Sequence, residues 1–174
     1  MTISKSPGVR PAIKLIDAIL VTLFAAIAAG SVDLVYAASF AREGVTMTGV
    51  MRAIASGVLG AEAFKGGASV ALLGAVLHYG ILWVAGAVFV LAGRVWPIVF
   101  QRPLLSGTVF GIGVFLVMKI VVKLSRAPFD VSSDPEQIIR NLLVHILAVG
   151  IPMALILVWM LVRPSVAGVA TVSD

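Results

Sequence analysis

Four long apolar runs, at about residues 15–40, 68–92, 104–123 and 135–162, constrain this chain more than anything else in it. Each is long enough to cross the roughly 30 Å hydrocarbon core of a bilayer as a helix. In that solvent the helix is the simple solution, because all of its backbone hydrogen bonds close within the segment. The expected fold is therefore all-α, an integral membrane four-helix bundle. Composition closes off a soluble alternative: of 174 residues 60% are apolar and 12% charged, with mean hydropathy +1.12. That leaves too little polar surface to cover a core of such hydrophobicity.

The third run, Leu104 to Lys123, carries Gly107, Gly111 and Gly113, and one ammonium group, Lys119, inside its apolar length. Glycines let a neighbouring backbone come close, so all three are expected to serve helix packing. Ala25, Ala29, Gly74, Gly86 and Ala148 offer matching small surfaces on the other runs.

The net charge of +5 comes from thirteen Lys and Arg against eight Asp and Glu. Most of the basic residues stand at the ends of apolar runs, as headgroup anchoring and topology control require. With no basic face and no recognised module, nucleic acid is not an expected partner. The absence of cysteine excludes disulfides, thiolate metal sites and cysteine nucleophiles.

Residues 1–14 read as a polar basic tail and 164–174 as a second tail. The first run follows three basic residues, which invites comparison with a secretory signal, but signal cores span only about 7–15 residues. It is read as a retained helix. Between the first and second runs, Met47, Val50, Met51, Ile54 and Val58 recur at helical spacing with Arg52 and Ser56 opposite. This predicts a short amphipathic helix over about 47–59, either lying in the interface or packed across the end of the bundle. Gly57, Gly60, Gly66 and Gly67 mark turns. Lys65-Gly66 has the wrong order for a phosphate loop.

The connection from Val95 to Pro103 holds Arg102, two prolines and Trp96, and its shortness makes the second and third runs antiparallel neighbours. Before the fourth run, Asp134 can cap a helix that opens on Pro135, with Gln137 at the capping-box position. Pro152 should bend or loosen that helix, since it removes a backbone donor. Four crossings put both termini on one side. Basic residues divide evenly between the two faces. The three in the leading flank favour cytoplasmic termini, because the first helix usually dominates.

At about 1.5 Å per residue, Asp33 lies roughly 27 Å along the first run and Lys119 roughly 22 Å along the third. Both runs start on the same side, so an Asp33–Lys119 ion pair is expected at matched depth. His78 and His145 each fall roughly 15 Å below the opposite face by the same arithmetic. Tyr36 and Tyr79 could join them. The first reading of this cluster is structural: Asp33 and Lys119 neutralise each other, and each histidine donates to a carbonyl or hydroxyl. The rival is a small proton-linked transporter or channel using Asp33, His78, Lys119 and His145. A third is a bis-histidine haem site, and zinc held by His78, His145 and Asp33 ranks below it. No metalloprotease motif, nucleophile elbow or redox pair is present. No catalytic residue, resident metal or cofactor is therefore expected.

Ile54 to Gly60, Ala63 to Gly67, Leu77-His78, Leu105 to Lys119 with its glycines, and His145 to Pro152 together resemble the YagU-like four-crossing proteins of bacterial inner membranes. The similarity covers about residues 51–161. Members commonly have an amide residue after the methionine of the third helix, where this chain has Lys119 after Met118. The resemblance implies location in the bacterial inner membrane and a helical bundle, without enzymatic activity. The expected partners are the lipid bilayer and either a larger membrane complex or further copies of the chain.

Overall fold

The computed structural model describes residues 14–39, 45–130 and 132–162. The expected tails, apart from Lys14, lie outside the described residues. So do Arg42 and Arg163, on which part of the topology count rests. The described chain is helical and contains no strand. Its elements are α1 (Leu15–Ser39), α2 (Met47–Leu59), a 3-10 segment (Gly60–Lys65), α3 (Ala68–Val95), α4 (Ile98–Gln101), α5 (Pro103–Leu124), α6 (Pro135–Val144), a π-helical segment (His145–Gly150) and α7 (Ile151–Leu161). The last three run on without a break, giving four helices long and apolar enough to cross a membrane.

Unlike a soluble helix, each long helix also leaves large apolar side chains exposed. Along α1 the buried face is Ala18, Thr22, Ala25, Ala26, Ala29, Gly30 and Leu34, while Ile19, Leu20, Leu23, Phe24 and Ile27 are exposed. Small side chains let the helices approach, and the large apolar ones turn outward, as packing in lipid favours. Met153, Leu157 and Val149 supply the largest fully buried apolar side chains.

The long helices pack in the order α3, α1, α7, α5. Where they meet, glycine sets the distance. A methyl group on Gly107 would lie 2.8 Å from Ile151 Cα, and one on Gly111 2.5 Å from the His145 carbonyl oxygen. Gly150, at the end of the π segment, meets both of these glycines. The widened winding follows from Pro152: it has no N–H to give, and the turn before it relaxes so that the Ile151 N–H reaches back five residues to Ile146 O. This is the loosening that Pro152 predicts.

Helix α2 packs across α3 instead of standing apart from it, with the Met51 carbonyl seated on Gly74. Its innermost residues are Ala55 and Ser56, both fully buried. The expectation that Ser56 faces away from the packed side is therefore corrected. So close a crossing admits only small side chains, and the Ser56 hydroxyl satisfies itself on Ala53 O at 2.6 Å. Thr46 caps the start of α2 through Gly49 N, and Gly60 ends it at φ 66°, a conformation open to glycine. Arg126, just beyond α5, ties down the far end: its N–H donates to Gly57 O at 2.9 Å and its guanidinium to Val58 O at 3.4 Å. A cation on these terminal carbonyls also suits the helix dipole.

In the connection between α3 and α5 the chain forms one turn of helix, α4, which seats Phe100 against Gly93. Phe89 stands between Phe100 and Phe110, with ring centroids 6.2 and 5.1 Å away. Asp134 caps α6, accepting from Glu136 N at 3.3 Å, and Pro135 opens the helix as expected.

Candidate functional site

Polar groups of the long helices gather in two separate seams, which between them hold both histidines and Lys119. The first joins α1 to α3, which run antiparallel. His78 Nε2 donates to Gly30 O at 3.0 Å, Tyr79 and Ser31 share a hydrogen bond of 3.1 Å, and Trp83 Nε1 donates to Thr22 Oγ1 at 3.0 Å. Thr22 is buried, and its own hydroxyl returns to Ala18 O at 2.7 Å. The sequence feature that could have revealed this seam is the pair of hydroxyls at Thr22 and Ser31, on an otherwise apolar run, facing the His78–Tyr79–Trp83 group.

The second seam joins α5 to the π segment. His145 Nδ1 donates to Asn141 O at 2.8 Å, one turn back on its own helix. Its ring meets Phe115 edge-on at 5.7 Å, and Lys119 Nζ stands 5.6 Å from the centroid of the same phenyl ring. Buried Phe115 thus lies between the two nitrogen-bearing groups, and the Lys119 contact is within cation–π range.

Asp33 and Lys119 do not meet. Glu62 instead pairs with Lys65 at 2.7 Å and Glu136 with Arg140 at 3.8 Å. The helix order places α7 and the π segment between α1 and α5, which separates the two charges. The expected four-residue cluster is therefore divided: His78 belongs to the first seam, His145 and Lys119 to the second. His78 and His145, the expected haem pair, are instead each bonded to a backbone carbonyl, Gly30 O and Asn141 O. No group of three or more potential metal ligands occurs among the described residues.

Gly113 also departs from expectation. Gly107 and Gly111 are consumed by packing, but a Cβ on Gly113 would meet nothing within 4 Å. It opens onto a slot of about 760 Å³ between α3 and α5. Tyr36 lines a different hollow, of about 520 Å³, with Val32 on α1 and Glu136, Arg140 and Leu143 on α6.

Comparison with family models, with curated proteins and with solved structures finds no match to this chain.

Proposed function

We propose that this chain is a multi-pass protein of the bacterial cytoplasmic membrane with a structural or accessory role, and that it carries no catalytic site. One observation supports the membrane reading above the rest: the long helices leave large apolar side chains such as Leu20, Phe24, Leu72, Val84, Leu116 and Leu147 exposed on their outer faces, while several alanines and glycines lie where the helices meet. In water that distribution would be costly, at about 25 cal/mol for each Å² of apolar surface left exposed. In lipid it costs nothing and brings the backbones together. The YagU-like resemblance supports the bacterial inner membrane, and the basic leading flank supports cytoplasmic termini.

The accessory role is favoured by the fate of the polar groups. A proton path needs ionisable groups linked to one another or to water. Here His78 and His145 each end on a backbone carbonyl, in different seams. The role such bonds suit is fixing helix register.

Two measurements test this. Alkaline extraction of membranes should leave the protein in the pellet, and release into the supernatant would refute membrane integration. Reconstituted vesicles loaded with a pH dye should show no proton flux above empty vesicles. Flux abolished by Lys119→Met would replace the accessory role with the transporter.

A further inference from the structure

We infer that the π segment is a two-position joint, on which α6 turns by one residue and changes the wall it shows to the hollow beside α1. The fourth long helix is held unequally on the two sides of this segment. After it, Met153, Ala154 and Leu157 of α7 are fully buried, whereas before it no residue of α6 is buried. The boundary lies at Gly150, where the Gly107 carbonyl oxygen and the Gly111 backbone close on the glycine. Any turning is therefore confined to the chain upstream of that point.

A π turn closes its hydrogen bond over five residues where an α turn uses four, so the segment holds one residue more than α winding would. Rewinding it into α form passes that residue upstream and turns α6 by about 100°. The backbone loses little by this. Pro152 has no N–H in either winding, so one carbonyl lacks its helical donor in both. In the α form the proline ring would press on the Ala148 carbonyl, which makes the wide form the resting one. Such turns gather at functional sites.

There is room for the motion. Val32 and Tyr36 of α1 face Glu136, Ile139, Arg140 and Leu143 of α6 across the hollow of about 520 Å³. One residue of rotation puts Arg140, Asn141 and His145 where Ile139, Arg140 and Val144 now stand. Two aliphatic side chains thereby give way to a guanidinium and an imidazole. The hollow changes from oily to polar, and a polar cavity of this size holds water. The same motion takes the His145 ring off Phe115, beside which Lys119 also stands. The joint thus links the second seam to the α1 side of the bundle.

The full chain has no cysteine, so reporter pairs can be introduced into it in reconstituted vesicles. Val32→Cys with Leu143→Cys reads the resting position, since both residues line the hollow. Val32→Cys with Asn141→Cys reads the turned one. A short bismaleimide should link 32 to 143 strongly and 32 to 141 to a smaller extent. Pro152→Ala, which removes the ring and restores the N–H, should reverse that order. Deleting Ala148 from the Pro152→Ala protein removes the surplus residue and should return the link to 143. A 32–141 link that stays absent with Pro152→Ala would overturn the proposal, and so would a reversal that the deletion does not undo. Equal linking of both pairs in every variant would overturn it as well, by showing a frayed α6 in place of a joint. Spin labels at 32 and 143, with the proline intact, give a reading that no folding defect at position 152 can spoil. Their distance distribution should hold two separate maxima, and a single maximum would refute the joint. These readouts follow winding alone, so they can fail while the accessory role stands.

Discussion

Gly111 and Gly150 meet backbone to backbone: a Cβ added to Gly150 would lie 2.6 Å from the Gly111 nitrogen. This contact holds α5 against the π segment, and the added atom could be accommodated only by separating two helices. Gly150→Ala and Gly111→Ala should each destabilise the protein by about 1–3 kcal/mol, as overpacking does. Gly113→Ala, two residues along the same helix, should be neutral. Thermal unfolding in mild detergent, followed by fluorescence-detected size exclusion, distinguishes the three.

Gly111 and Gly113 differ in a property that local sequence does not encode. Run length, the Asp134 cap, the Pro152 break and the α2 helix are local properties, and all were legible. Rotation about the helix axis was not. The long helices are apolar on every side, so periodicity gives little sign of which face is inward. Two residues along a helix is a turn of about 200°, enough to move a glycine from the packed face to the open one. The same ignorance of angle and neighbour order made Asp33 and Lys119 look like partners from depth alone. The α4 turn and the choice of Trp83 as the partner of Thr22 depend on tertiary detail, whereas the Thr46 cap and the hydroxyls on α1 carry a local signal.

Asp33 and Lys119 should behave as independent sites. In a double-mutant cycle with Asp33→Asn and Lys119→Met, the coupling in unfolding free energy should stay within about 0.5 kcal/mol of zero. A larger favourable coupling would mean that the two charges meet after all.

Tyr79 and Ser31, by contrast, should couple. Tyr79→Phe and Ser31→Ala each remove one side of a 3.1 Å hydrogen bond between α1 and α3. The cycle should return about 0.6 kcal/mol, the average for such bonds between membrane helices. Additive effects would show that the bond contributes nothing to holding this seam.

His78→Phe should lower stability without touching the second seam, because the lost bond is to Gly30 O on α1. Removing a bond of this kind costs about 0.5–1.5 kcal/mol. His145→Phe should act independently of it, since His145 bonds within its own helix. Additivity of the two substitutions in thermal unfolding checks the separation of the seams.

If the chain crosses a membrane, hydrocarbon is the medium around its outward-facing large side chains. The chain has no cysteine, so single spin labels can be placed at Leu23, Val84, Leu116 and Leu155, all exposed, in protein reconstituted into vesicles. Collision rates with oxygen and with a water-soluble nickel chelate should show high oxygen access and low chelate access at all four. High chelate access at these positions would mean that water covers them, and would contradict the account.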